Sequence, residues 1–373
     1  MEYGGTRTSL VNLLHNIEHE TDLYVDLFII NQEGDLLNQI PKTVNILPEV
    51  KQASYALPNI RRKGLRYFVY HNFVAICNRL FGYQAVYKSL YCLFGGSLFR
   101  DGLDYDAVIA YQEGISTLTG SLIPAKKHFI WIHSDVDKWY DQRTFEKDAF
   151  DMAQDVIFVA ENTKQLFVNK FPQYGNKCIV IKNTLNKEAI FEKATQPVKL
   201  SKSSGISLLS IGRFTEAKAF DRVILASKYL KAKGYKFTWT LLGDGELFDS
   251  IKQMAIDNNV DDVVHLMGAQ SNPFGYIKNT DVVAVSSVNE SQPMVILESL
   301  TLSKPVVSTG FGSAREILQN GKYGLICDND TESFIAMVES LFIDATIIPK
   351  LQVAADGYEY DNETIVNQLK EII

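Results

Sequence analysis

Long apolar runs are missing from this 373-residue chain, and none reaches the ~18–20 residues that a helix needs to cross a bilayer. The first twenty residues include Arg7 and several polar groups but no apolar stretch, so no signal peptide is expected. Cysteine is scarce: Cys77, Cys92, Cys178 and Cys327 stand far apart, with neither a C-x-x-C pair nor zinc-ligand spacing. That excludes a disulfide scaffold and predicts buried free thiols in a reducing cytosol. Of six histidines only His15 and His19 lie four apart, and the residues between them lack the order of a zinc protease. Both are expected on a solvated helix face, with no metal site. Positive charge is also short. A net charge of −7 argues against nucleic acid as a partner.

The chain is 46% hydrophobic and 22% charged, the profile of a soluble globular protein. Its length suits two domains of ~150–200 residues. In the C-terminal half, short β-branched runs at 208–211, 238–242, 263–266, 282–285, 306–308 and 325–327 alternate with helical patterns at 220–233, 246–258, 293–302, 314–319 and 331–341. Such alternation predicts an α/β fold with a doubly wound parallel sheet, whose ligand lies beyond the carboxyl ends of the strands. The N-terminal half alternates less cleanly, with strands expected at 24–30, 44–47, 107–111, 129–133, 156–159 and 179–181. A polar, Ser- and Lys-rich stretch from Gln196 to Gly205 reads as a linker, giving domains 1–196 and 197–373. The last helix, about 355–373, is expected to cross back onto the first domain.

Three features converge at strand ends of the second domain. Gly212 follows a strand and turns the chain so that Arg213 and Lys218 project from the loop and helix start, which suits a diphosphate. Two cations at a helix N-terminus are disfavoured unless an anion binds there. Gly243-Asp244-Gly245 follows the next strand and allows close backbone approach by a ligand, although many such turns bind nothing. Ser287-Val-Asn-Glu290-Ser-Gln-Pro293-Met-Val-Ile-Leu-Glu298 is the most specific. Pro293 is expected as the first helical residue, with the amides of Met294 and Val295 facing an anion. Glu290 stays in the loop. Glu298 sits in the second turn of an otherwise apolar helix, where a charge needs a partner.

These motifs resemble glycosyltransferase family 4, retaining enzymes of the GT-B fold with two Rossmann-like domains facing each other across a deep cleft. The resemblance is close over about 205–330. It rests on the E-x7-E pattern of Glu290 and Glu298, on Arg213 and Lys218, on Asn272-Pro-Phe, and on the strand from Lys304 to Gly310. It implies that Arg213 and Lys218 bind the diphosphate, that Glu298 holds the ribose, and that Glu290 lies beside the transferred sugar. The backbone from Gly268 to Phe274 would edge the base. More loosely, Gly4-Gly5 resembles the loop that opens the first helix and approaches the diphosphate, and His133 matches a strand-end histidine that contacts the donor sugar. Only Met1, Glu2 and Tyr3 precede Gly4, so the N-terminal sheet is expected to lack most of its first strand.

The resemblance implies a retaining hexosyltransferase that moves a sugar from a nucleotide sugar, with uridine the expected base, to a glycan or lipid-linked glycan in cell-surface polysaccharide synthesis. No cofactor or metal is expected, because protein cations would hold the diphosphate. D-x-D triplets do occur at Asp104/Asp106, Asp135/Asp137 and Asp328/Asp330, outside this constellation. The alternatives are a sugar-nucleotide 2-epimerase and a catalytically degenerate partner subunit of another transferase. Residues 60–100 carry seven Arg and Lys, many aromatic residues and no Asp or Glu. They read either as packing helices or as a face resting on an anionic membrane, which would make a cytoplasmic protein peripheral to the inner face of the plasma membrane.

Overall fold

The computed structural model describes residues 5–56, 65–100, 105–141, 146–199 and 205–373. They form two compact units, Met1–Leu185 with Asn362–Ile373, and Asn186–Asp361. The division expected at 196/197 falls at 185/186. The cause is a helix at Lys187–Ala194 that packs on a short helix at Phe274–Lys278 in the second unit. Asn272 Nδ2 fastens it by donating to the Lys193 carbonyl at 2.8 Å.

In the second unit six parallel strands, β7 (Ile206–Ile211), β8 (Phe237–Leu242), β9 (Val264–Leu266), β10 (Val282–Val285), β11 (Val306–Thr309) and β12 (Leu325–Cys327), take the order β12-β11-β10-β7-β8-β9. The central strands are Val-, Leu- and Trp-rich and buried on both faces, as parallel strands covered by helices must be. A side-chain chain crosses them. Trp239 Nε1 donates to Ser210 Oγ at 3.0 Å, and Ser210 Oγ donates to the Ala284 carbonyl at 2.6 Å, joining β8, β7 and β10 through the core.

In the first unit β3 (Tyr105–Ala110), β4 (Ala125–Ile132), β5 (Asp155–Phe158) and β6 (Cys178–Val180) form a parallel sheet in chain order. The strands expected at 24–30 and 44–47 shrink to β1 (Asp26–Leu27) and β2 (Asn45–Ile46), which pair only with each other among the described residues. A strand with one partner and a largely solvated face has little to hold it. A side-chain bond, Tyr105 Oη to Asp26 Oδ2 at 2.6 Å, ties this pair to β3. Residues 1–4, where the remnant of an opening strand was expected, lie outside the described residues.

Six helices matter below: α1 (Gly5–Ile17), α2 (Leu65–Phe81), α3 (Tyr83–Phe94), α4 (Phe220–Ala232), α5 (Met294–Thr301) and α6 (Asn362–Ile372). α6 belongs to the first unit. Asn362 Nδ2 donates to the Leu185 carbonyl at 2.7 Å, and Lys370 Nζ pairs with Asp22 at 3.1 Å and with Glu20. His15 on α1 is half-buried and bonds the Gln39 carbonyl at 2.8 Å, so only His19 has the solvated position expected of both.

Removing the Ser210 hydroxyl would leave the buried Trp239 indole N–H without its acceptor. Ser210→Ala is therefore expected to cost roughly 1–3 kcal/mol, read from chemical denaturation. Unchanged stability would mean that this bond does not help to bind the three strands.

Candidate active site

The strand order reverses at β7, whose neighbours are β8 on one side and β10 on the other. In a doubly wound sheet this reversal sends successive loops to opposite sides and opens a crevice at the carboxyl ends, where ligands bind. The two loops are 212–219, after β7, and 286–293, after β10. They are stitched together. Val288 N donates to the Ala217 carbonyl at 2.8 Å, and Ser286 Oγ to the Lys218 carbonyl at 2.7 Å.

Lys218 crosses the face of Gly212, where a Cβ would lie 2.9 Å from its Cδ and Cε. Glycine at 212 therefore leaves passage for the lysine stem. Lys218 Nζ ends 2.6 Å from Glu290 Oε2, and both side chains are largely buried. Glu290 Oε1 accepts from Ser287 Oγ at 2.6 Å, and its backbone carbonyl from Ser313 Oγ at 2.6 Å. Neither serine was singled out in the sequence. Ser287 had a local signal, three residues before Glu290, whereas Ser313 is recognisable only in three dimensions.

Glu298 stands in the second turn of α5, half-buried. Burial pushes its carboxyl up to about 7, and the Lys218 charge offsets part of that rise. One lysine thus serves two carboxylates. Glu290 and Glu298 are neither a solvated loop residue nor an exposed helix residue. Pro293 differs from expectation: its ψ of 95° is extended, so it is the N-cap and Met294 opens the helix. Pro293 supplies no side-chain cap, and Ile296 N closes the first turn onto its carbonyl at 3.0 Å. Val295 faces inward and Met294 is half-buried.

Arg213 is exposed and has no ion-pair partner among the described residues. Ala219, next to Lys218, holds the left-handed backbone (φ 47°, ψ 51°) as the N-cap of α4. A non-glycine residue there stores strain of the order of 1 kcal/mol or more, of the kind that clusters at ligand clamps. Gly243 has φ 138°, and a Cβ on it would lie 1.8 Å from the Gly212 carbonyl oxygen. The loops after β7 and β8 run in contact, with Gly212 N on the Leu242 carbonyl and Phe214 N on the Asp244 carbonyl, both at 3.0 Å. Loop packing therefore demands glycine at 243 by itself. Arg222, which the sequence did not single out, is buried on α4 and holds the Ser286 carbonyl at 3.1 Å and Asn329 Oδ1 at 2.7 Å.

In the first unit His133 follows β4, with its ring stacked 6.0 Å from Trp131 and tilted 4.6 Å from Tyr111. Burial pushes its imidazole down to about 3, so the ring is neutral at ordinary pH, and Nε2 is buried without a hydrogen-bond partner. Glu113 accepts from the His133 backbone N–H at 3.0 Å. Gly5 opens α1 with open space where a Cβ would sit, and Gly4 lies outside the described residues.

The D-x-D triplets have structural occupations. Asp106 pairs with Lys126 and Asp137 with Lys170, both at 2.8 Å, and Asp330 caps a helix by accepting from Ser333 N at 2.7 Å. Asp104 lies outside the described residues. Among the described residues no group of three or more His, Cys, Asp or Glu side chains could hold a metal ion, and no helix is long and apolar enough to cross a membrane.

Residues 192–355 match the family Glycosyl transferases group 1. That stretch contains Arg213, Lys218, Glu290 and Glu298. The lipopolysaccharide core biosynthesis glycosyltransferase of Rhizobium meliloti is 33% identical over 43% of this chain and 45% of its own. An N-acetylgalactosaminyltransferase of Campylobacter jejuni, named for a diphospho-undecaprenol acceptor, is 30% identical over 44% of each. An uncharacterized glycosyltransferase of Methanocaldococcus jannaschii is 26% identical over 56% of this chain and 58% of its own. The chain spans about half the length of the curated relatives it matches. Among solved structures, Staphylococcus aureus TarM, in a complex that includes UDP, superposes with a TM-score of 0.71 at 13% identity, covering 100% of this chain and 97% of that one. The lipopolysaccharide glycosyltransferase WaaG superposes with a TM-score of 0.67 at 13% identity, covering 100% and 97%. These likenesses assign the GT-B fold, with two Rossmann-like domains.

Two titrations follow from the geometry. Glu298 holds its proton more tightly folded (about 7) than unfolded (ordinary value 4.5), so its contribution to stability is full below about 4.5 and lost as pH rises through about 7. Glu298→Gln should gain on the order of 2 kcal/mol relative to wild type between about pH 5 and about pH 8. A pH-independent difference in denaturation midpoint would remove the burial. His133 has the opposite sign, since its neutral form is favoured and stability falls as pH drops below its ordinary 6.5. His133→Phe keeps a ring in the stack, and its melting temperature relative to wild type should improve on acidification.

Proposed function

We propose that this chain is a retaining glycosyltransferase of the family 4 type. It moves a sugar from a nucleotide diphosphate sugar, with uridine as the base, to a glycan or lipid-linked glycan in cell-surface polysaccharide synthesis. The observation that carries the reading is the convergence of Lys218, Glu290 and Glu298 at the reversal point of the sheet. The names of the relatives support glycosyl transfer in polysaccharide assembly, and the UDP in the TarM complex supports the choice of base.

In this reading Lys218 and Arg213 meet the diphosphate. Charge accumulates on that group as the glycosidic bond breaks, so fixed positive charge lowers the barrier and protein cations can supply what a divalent metal supplies elsewhere. The Lys218–Glu290 pair holds the lysine in place before the donor arrives. Glu298 accepts from the ribose hydroxyls, which favours its charged form and offsets the cost of burying it. The amino end of α5, with the amides of Met294 and Val295, adds the positive end of the helix dipole. Glu290 orients the transferred sugar while the acceptor hydroxyl attacks from the leaving-group face, which retains the anomeric configuration. It does not need to act as a covalent nucleophile.

A thermal-shift screen across UDP-, GDP- and ADP-sugars tests the donor. A true donor at about 100 times its dissociation constant should add ~2.7 kcal/mol of stability. Lys218→Ala should weaken UDP binding roughly 10- to 100-fold, the loss of one charged hydrogen bond. Glu290→Gln should keep nucleotide binding and lower transfer by about 100-fold or more. Full transfer by Glu290→Gln, or undiminished UDP binding by Lys218→Ala, would overturn the assignment of that residue.

A further inference from the structure

The first unit carries a helical hairpin with two apolar faces. α2 and α3 are joined by Gly82 alone, whose φ of 84° lets the chain reverse between them. The inner face is core. Val74, Tyr87 and Tyr91 are buried in one cluster with Val50, Phe99 and Leu118, and Tyr91 stacks on Phe99 at 4.8 Å. This packing fixes which side of the hairpin looks outward. On that outer side Phe73, Ile76 and Leu80 of α2 are 57–71% exposed and Leu93 of α3 is 68% exposed. Phe73, Ile76 and Leu80 stand at i, i+3 and i+7, one stripe along the helix. Exposed apolar residues scattered singly need no explanation, but four within 21 residues, three of them in one stripe, form a patch that something covers.

Charge identifies the cover. From Lys51 to Arg100 the chain holds eight Lys and Arg and no Asp or Glu, although the whole chain carries −7. Arg79 and Lys88 are exposed on the same two helices as the apolar stripe. An anionic lipid surface takes both features at once, with aromatic and aliphatic side chains entering the acyl boundary and cations meeting the phosphates. With its inner face committed to the core, the hairpin can lie on a bilayer and cannot cross it, consistent with the lack of a spanning helix among the described residues.

We propose that the outer face of the α2–α3 hairpin docks this protein on an anionic membrane surface. The inference is independent of the donor-site reading. Flotation with phosphatidylcholine vesicles, with and without phosphatidylglycerol, tests it. Binding should require the anionic lipid and weaken with salt. Arg79→Glu and Lys88→Glu should each lower partitioning by about fivefold or more. The triple variant Phe73→Ser/Ile76→Ser/Leu80→Ser changes only exposed positions. It should keep the wild-type melting temperature and UDP-sugar thermal shift yet lose flotation. Lys218→Ala should float like wild type whatever becomes of the donor assignment. Three results overturn the proposal: no flotation with anionic vesicles, equal flotation with neutral ones, or undiminished flotation of the triple variant. So would a lipid-free wild-type dimer that the triple variant converts to monomer, since a second copy would then cover the face.

Discussion

The adjacency of β7 and β10 is the constraint on which the site depends. Residues 218 and 290 are separated by most of a domain's worth of strands and helices, yet the parallel pairing of these two strands delivers both to one crevice. The contact is a largely buried ion pair, a type whose Coulomb attraction seldom exceeds the cost of desolvating both ions. Its surroundings tip that balance, because the second carboxylate oxygen of Glu290 and its backbone carbonyl are each satisfied by a serine. The serines that satisfy Glu290 thus make the pair sustainable, while the sheet and its loops decide where it forms.

The electrostatics of the second unit has one further asymmetry. Lys218 faces Glu290 directly and Glu298 through space, so two acidic groups share one resident cation, and the buried one relaxes by holding its proton up to about 7. The exposed Arg213 is the second cation of the same loop. Strain sits close by, at left-handed Ala219, where the chain turns from the lysine into α4. A half-buried acid on α5, a shared lysine and a strained turn thus meet at the ends of β7 and β10.

The two units were legible to different degrees. In the second, β-branched runs and amphipathic stretches alternate so regularly that strand positions read from sequence fall within a few residues of β7–β12. In the first, the α/β alternation was visible but the sheet divides into β3–β6 and the short β1–β2 pair. Propensity marks where a strand can form; its length depends on hydrogen-bonded neighbours on both sides, which a local pattern does not encode. The domain division moved for a similar reason. A polar, Ser-rich stretch looks like a linker from composition, whereas the boundary follows the packing of the helix at Lys187–Ala194.

Sequence alone determined the residue types and their order: a glycine after β7, a lysine six residues on, and two glutamates eight apart astride a helix start. It also determined the acid-free stretch around the hairpin. Tertiary structure decided which of these groups meet. It paired Lys218 with Glu290, raised Glu298 by burial, explained Gly243 by the Gly212 carbonyl, turned Pro293 from first helical residue into N-cap, and separated the core-facing side of α2 and α3 from the outward one. The physical reason is range. Turn preference and periodicity act over a few bonds, while an ion pair across 72 residues, a shifted pKa and the identity of a buried face exist only once distant segments have packed.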